Sequence, residues 1–310
     1  MTFDLSKVVV DRKDVDVVLP EHDGYPEELA KLDTQAAICE AFGDANREFP
    51  RSLWIEPKDR AERAKINDEY GLWAGNFIDR YTNQSPTHEC TTHAFRAVFE
   101  ACRNRQRRIA LGGPVASKRL PISEKSGSVW MSCVSLYAEA NPRQYGGANV
   151  QQICRIAIDR GVLPDKVQPK QYNFRHTMQG TCGKGGINQS SGPWPGWSGG
   201  DFRNKPIGWS DGEWRETAKN FKPLECVYPR NSDEFDCLLL NGYAIGIGRK
   251  GHSVPIVGIK YEGSRKLYPY FDSYDRLLFD SSAYHQGAYA ILTTTAPDDW
   301  DKPVGDSTKG

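Results

Sequence analysis

The sequence of 310 residues lacks any long apolar stretch and carries no net charge. No apolar run approaches the roughly 18 residues that a membrane span needs, so we expect no membrane partner. Forty basic residues balance forty acidic ones, which gives no electrostatic reason to propose nucleic acid as a partner. Residues 1–7 do not begin a secretory signal. We therefore expect a cytoplasmic or virion-associated protein.

The eight cysteines are scattered, and no two of them form a C-x-x-C pair. This spacing argues against a zinc ribbon or a dithiol redox site. His88, Cys90 and His93 are close in sequence, but helical spacing places the two histidines on different sides, so we expect no metal and no cofactor. Without a secretory signal, most of the cysteines should be reduced thiols.

The length allows one sizeable core made of two lobes. We expect an N-terminal extension over 1–75, a helical lobe over 76–165, a Gly/Pro/Trp-rich insertion over 166–220, an antiparallel β lobe over 221–297 and a polar tail over 298–310. The spacing of apolar residues predicts helices over 26–42, 59–81, 86–101, 150–160 and 232–240. It predicts strands over 243–248, 252–261, 267–272 and 287–293, with one or two short strands in 1–20.

One predicted helix carries a cysteine close to its N-terminus. After Cys90, small and apolar residues recur at helical spacing from Ala94 to Cys102, so one face of the helix should be buried. The predicted N-terminus is at 85–87, where Ser or Thr can cap free N–H groups and Pro fits the first turn. This position, at the positive end of the helix dipole, favours a nucleophilic thiolate. A buried structural thiol is the competing interpretation.

Two further motifs follow this helix along the chain. His252 begins the pattern His-x-Val-x-Ile-Val-Gly, and Asp272 is followed by Ser and an aromatic residue. Gln84 lies six residues before Cys90. Together and in this order, the three elements resemble the papain-like cysteine peptidases over roughly residues 70 to 295.

The resemblance implies an α+β fold with two lobes, one helical and one antiparallel β, and an active-site cleft between them. It implies that Cys90 is the nucleophile, His252 its proton partner and Asp272 the acceptor that orients the imidazole. Gln84, with the Cys90 backbone N–H, would form the oxyanion hole. By the same resemblance Gly146 and Gly147 line the cleft and offer backbone groups to substrate, although a simple turn is the alternative.

The sequence departs from the family pattern at three positions. The family usually has Asn where this chain has Asp272, and a carboxylate can orient imidazole equally well. The aromatic residue that normally follows the nucleophile is Thr91, and the tryptophan that shields the orienting residue is Tyr274. Either of the last two changes would admit water around the triad.

Three functions from different classes remain open. The first is a papain-like peptidase acting on peptide or isopeptide bonds of a peptide or protein substrate. The second is a structural protein that keeps the fold without useful catalysis, with protein assembly partners as in a virus particle. The third is a transglutaminase-like or amidase enzyme with the same triad.

Three other segments have alternative interpretations. The N-terminal extension is either an inhibitory propeptide or permanent packing. The four tryptophans of the insertion either bind a partner or a sugar or pack on one another. The basic run over 103–108 is interpreted as a solvated helix end, with cations at the negative pole.

Overall fold

The fold contains both helices and a sheet and is of the α+β class. The structure is a computed structural model that describes residues 35–78, 90–110, 131, 133, 136, 148–164, 216–249, 252–273, 276–284 and 287–295. Within these residues, the helices of eight residues or more are α1 (Gln35–Phe42), α2 (Arg60–Tyr70), α3 (Cys90–Ala110), α4 (Val150–Arg160) and α5 (Ser232–Leu240). None of these combines the length and apolar character that crossing a membrane requires.

The strands are β1 (Asn46–Arg47), β2 (Pro223–Val227), β3 (Ile245–Arg249), β4 (His252–Ile256), β5 (Lys260–Glu262), β6 (Arg265–Asp272), β7 (Arg276–Asp280) and β8 (Tyr289–Thr294). They form one sheet in the order β1-β2-β8-β3-β4-β6-β5, and β7 also pairs with β6. The pairings among β2 to β8 are antiparallel, whereas β1 runs parallel to β2. A strand from the predicted N-terminal extension is therefore part of the sheet.

Helix α3 lies at the centre of the molecule. It packs against β3, β4 and β8 of the sheet and also against α4. Small residues such as Ala94, Ala97 and Ala101 are fully or almost fully buried, and they allow this close approach. The Phe95 ring stacks on the Tyr289 ring of β8, with centroids 6.0 Å apart. Every residue of α3 from 90 to 104 is buried, so the helix is covered on all sides.

The predicted helices over 150–160 and 232–240 are confirmed with the same bounds. Each begins after an asparagine whose side chain accepts backbone N–H groups: Asn149 from Gln152, and Asn231 from Asp233 and Glu234. The described residues of the predicted helix over 26–42 are helical from 35. The part of helix 86–101 before Cys90 lies outside the described residues, and the helix continues to Ala110.

Two predicted elements are shorter in the structure. The helix predicted over 59–81 ends at Tyr70, because Gly71 adopts a left-handed conformation (φ 65°) that caps it. The strand predicted over 252–261 is divided into β4 and β5. The chain leaves the strand at 257–259, where Gly258 lies so close to the Trp73 ring that a Cβ atom would be 2.9 Å from it.

The basic run in α3 is not the solvated helix end that the sequence predicts. The Arg103 side chain is buried, and the Arg105 guanidinium lies 4.8 Å from the centre of the Tyr243 ring, a cation–π contact. Asn104 donates to the Phe77 carbonyl at 2.8 Å, and Gln106 accepts from the backbone N–H of Thr294 at 3.0 Å. The helix is thus held in the protein interior as far as Asn104, and Arg105 to Arg107 are only partly exposed.

A pair of glycines allows a matched test of packing at the end of α4. Gly161 and Gly263 both have positive φ (87° and 62°), so an alanine is strained at either position. A Cβ atom on Gly161 would overlap the Ala218 carbonyl oxygen, whereas one on Gly263 would meet open space. Gly161→Ala should therefore destabilise the fold by about 1 to 3 kcal/mol more than Gly263→Ala. If the two variants unfold at the same urea concentration, the end of α4 does not pack against residues 216–219.

Candidate active site

The register of the sheet explains why His252 and Asp272 come together. Ile256 of β4 pairs with Tyr270 of β6 in an antiparallel ladder. Side chains two residues apart on a strand point to the same face, so His252 and Ile256 share a face, as do Tyr270 and Asp272. If the same register continues along β4 to His252, then Asp272 on β6 lies diagonally across from His252. Long side chains at such diagonal positions can reach each other.

The two side chains form a close pair. His252 Nε2 lies 3.4 Å from Asp272 Oδ1, and both side chains are essentially inaccessible to solvent. A carboxylate beside one ring nitrogen favours a proton on that nitrogen and fixes the orientation of the ring. The structure thus brings together two of the predicted site residues, His252 and Asp272.

Cys90 is the first described residue of α3, and its side chain is buried. Its Sγ lies 3.9 Å from the Thr91 hydroxyl oxygen. Thr91 is itself buried, so the residue that replaces the expected aromatic leaves no exposed gap at this point of the helix. Because α3 packs against β4, the thiol-bearing helix and the histidine-bearing strand are direct neighbours.

The remaining predicted site residues, Gln84, Gly146 and Gly147, lie outside the described residues, as does Tyr274. The cysteines that the structure describes outside the site include Cys39, Cys102, Cys226 and Cys237, and these form no disulfide. Burial raises the pKa of the Cys102 thiol to about 12 and raises that of Cys226 well above its ordinary value. These two thiols are therefore poor nucleophiles.

Sequence reasoning missed a second histidine near the site. His93 is buried on α3 one turn after Cys90. Burial, together with the positive charges of Arg96 and His252, holds the pKa of His93 well below its ordinary value of 6.5. The signal in the sequence was the row of His93, Arg96 and Glu100 at spacings of three and four residues in an otherwise apolar helix. Among the described residues, no group of three His, Cys, Asp or Glu side chains is arranged to hold a metal ion.

Acidification should destabilise the fold through His93. Because the folded-state pKa of His93 is depressed, the unfolded chain binds more protons as the pH falls below about 6.5. The contribution of neutral His93 to stability is fully present above about pH 6.5 and is lost as the pH falls to the folded-state pKa. Its size is about 1.4 kcal/mol for each pKa unit between the unfolded and the folded values. The free energy of unfolding, measured in urea between about pH 8 and about pH 5, should fall more steeply for the wild type than for His93→Gln. Parallel curves would show that His93 is not buried in its neutral form.

A solved structure shows a distant likeness to this chain. No protein-family model matches the chain, and neither does any curated protein. The fold is similar to the crystal structure of xylellain, a cysteine protease from Xylella fastidiosa, with a TM-score of 0.45 and 15% sequence identity. The match covers 70% of this chain and 85% of the xylellain chain. At this level of likeness, the function of the chain has to be argued from its own residues.

Proposed function

We propose that the chain is a papain-like cysteine peptidase that hydrolyses peptide or isopeptide bonds. The observation that carries the proposal is the buried pair of His252 and Asp272, 3.4 Å apart, with His252 on a strand that packs against α3, the helix that carries Cys90. A buried imidazole oriented by a carboxylate is what a cysteine nucleophile needs as its proton partner. The proposal includes a two-lobed arrangement with the cleft along the N-terminal end of α3.

The reaction follows from these residues. The Cys90 thiolate attacks the carbonyl carbon, and the negative charge moves to the carbonyl oxygen, where the Cys90 backbone N–H and the Gln84 amide donate hydrogen bonds. Protonated His252 gives its proton to the leaving amine, and a thioester remains on Cys90. His252, again a base, then takes a proton from water as the water attacks the thioester. The C–S bond breaks, the carboxylic acid product leaves, and the Cys90 thiolate is restored beside protonated His252. Asp272 holds the imidazole ring in place through both steps.

One observation favours the structural alternative. The Cys90 side chain is 1% exposed, and a thiol that substrate cannot reach has no catalytic use. In a protein that keeps the fold only for assembly, Cys90 would be a packed core residue. The two functions therefore differ in whether a substrate-like reagent reaches Sγ.

Labelling with a thiol-directed epoxide peptide, followed by mass spectrometry, separates these functions. We expect modification at Cys90 in the full-length native protein and its loss in His252→Ala. Cys102 and Cys226 are internal controls that should stay unmodified, and half-buried Cys39 controls for simple accessibility. Unmodified Cys90 at every pH would support the structural protein. In the unlabelled protein, transfer of an acyl group from an added peptide substrate to a primary amine, rather than to water, would support a transglutaminase-like enzyme.

A further inference from the structure

Residues 35–78, which include the described part of the N-terminal extension, begin with a helix and a strand that are built into the rest of the fold. Helix α1 packs against α4, and β1 pairs with β2 in the sheet. Ile38 and Phe42 of α1 are completely buried, and the Phe42 ring meets the Tyr289 ring of β8 edge-on, with centroids 6.0 Å apart. These contacts belong to the hydrophobic core of the protein.

The next part of this segment, 53–67, packs against α5. The last carbonyl groups of a helix have no partner within the helix. Asn67 Nδ2 donates to the Leu240 carbonyl at 2.8 Å, and Asn241 Nδ2, just after α5, donates to the Leu53 carbonyl at 2.7 Å. The Arg60 side chain lies beside two carboxylates of the same helix. Residues 53–67 therefore hold α5 near its start and at its end.

Residues 73–77 contact the two elements that carry the candidate nucleophile and its proton partner. The Gly75 backbone N–H donates to the carbonyl of Val257, the residue directly after β4, at 3.2 Å. On the other side, Asn104 of α3 donates to the Phe77 carbonyl at 2.8 Å. The Trp73 and Phe77 side chains are both buried. Residues 73–77 thus join α3 to the end of β4.

An inhibitory propeptide has to leave behind an enzyme that stays folded. Release of residues 35–78 would remove four large apolar side chains from the core, those of Ile38, Phe42, Trp73 and Phe77. It would also leave the Leu240 carbonyl without its donor, and a buried carbonyl that loses its hydrogen bond destabilises the fold. The contacts of this segment are therefore those of a structural part of the molecule.

We propose that residues 35–78 are a retained part of the catalytic unit and not an inhibitory propeptide. The inference rests on the proposed function, because it states which residues the working peptidase contains. Gln84, the proposed oxyanion donor, follows Ile78 by six residues and precedes Cys90 by six. Ile78 is buried, so retaining residues 35–78 keeps one end of the segment that carries Gln84 attached to the fold.

A single cut in the chain tests whether the first part of the segment can leave. Residues 56–59 are exposed, so a recognition sequence for a site-specific protease can be inserted between Pro57 and Lys58 of the full-length protein. After cutting, the fragment ending at Pro57 should co-elute with the remainder in gel filtration and separate from it only in denaturant. The rate of Cys90 labelling by the epoxide peptide should be the same before and after cutting. The uncut insertion variant is the control for both measurements.

Hydrogen exchange followed by mass spectrometry tests the second part of the segment in the unaltered protein. Backbone N–H groups of α2 should exchange as slowly as those of α5, and both helices should lose protection at the same urea concentration, because they open together. Asn67→Ala should speed exchange in both helices by about tenfold, since it removes a buried hydrogen bond between them. Lys65→Ala is the matched control, because Lys65 is exposed on the same helix and its loss should leave exchange unchanged.

Two results would overturn the inference. One is release of the fragment ending at Pro57 under native conditions, or faster labelling of Cys90 once the chain is cut, as removal of an inhibitor requires. The other is an α2 that loses its protection at a lower urea concentration than α5. Fragment retention and hydrogen exchange do not depend on catalysis, so they decide the inference even for a Cys90 that never reacts. Failure of the proposed function is read separately, from the absence of Cys90 labelling in the uncut protein.

Discussion

Replacing His252 with alanine should slow the alkylation of Cys90 to the rate of an ordinary buried thiol and reduce hydrolysis by about 10³-fold or more. The imidazole is the base that takes the thiol proton, so the variant lacks the group that makes the sulfur nucleophilic. The measurement is the rate of iodoacetamide incorporation at Cys90 at neutral pH, read by mass spectrometry.

The orienting residue provides graded controls for the same experiment. Asp272→Asn should retain much of the activity, because an amide oxygen can still accept a hydrogen bond from Nε2–H. Asp272→Ala should affect alkylation less than His252→Ala does, since the carboxylate orients the ring and does not contact sulfur. Gln84→Ala should leave alkylation nearly unchanged but slow hydrolysis by about 10²-fold, the usual effect of losing one oxyanion donor. A Cys90 whose alkylation rate is the same in the wild type and in His252→Ala would favour the structural alternative.

Sequence periodicity predicted elements best where local signals define both ends. The helix over Val150–Arg160 has a capping asparagine before it and Gly161 after it, and both ends were placed correctly. The missed strands β1, β2 and β7 lack such signals. Strand β1 has only two residues, and β2 begins with a proline and has an irregular register against β8. Their conformation depends on pairing with distant residues rather than on local pattern.

The candidate site was predictable only in part. The sequence suggested the pairing of His252 with Asp272 only through the resemblance to the papain-like peptidases, whereas the register that brings the two side chains together, Ile256 opposite Tyr270, is seen in the structure. The burial of His93, Arg96 and Glu100 was not predictable, because charged residues in a helix usually face water. Only the packing of α3 on every side makes them interior groups.

Asp236 is another charged residue whose burial the sequence does not indicate. Its replacement is expected to have the largest effect on stability. It lies in the acidic sequence Ser-Asp-Glu-Phe-Asp at the start of α5, which is typical of a solvated first turn. In the structure its carboxylate is inaccessible to solvent. Lys266 lies 2.7 Å from Oδ2, Tyr268 donates to Oδ1 at 2.8 Å, and Arg60 lies 3.6 Å from Oδ2. This cluster joins α2, α5 and β6.

The surroundings of Asp236 determine the expected magnitude. Removing one partner of a buried ion pair costs about 3 to 5 kcal/mol, because it leaves the other charge without compensation. Arg60 would keep Asp233, at 2.6 Å, and the partly exposed Lys266 side chain can reach water. We therefore expect Asp236→Ala to lower the free energy of unfolding by about 3 kcal/mol, the lower end of that range.

Asp233→Ala is the matched control for this prediction. Asp233 lies on the same helix and also binds Arg60, but half of its side chain is exposed to solvent. Water can screen the half-exposed Asp233 carboxylate, and the buried Arg60 would keep Asp236 at 3.6 Å, so its loss should have a smaller effect, about 1 kcal/mol. Both variants are compared with the wild type by urea unfolding. An unchanged slope of the free energy of unfolding against urea concentration shows that the unfolded states are equivalent. If the two substitutions cost the same, Asp236 is solvated and the cluster does not hold α2, α5 and β6 together.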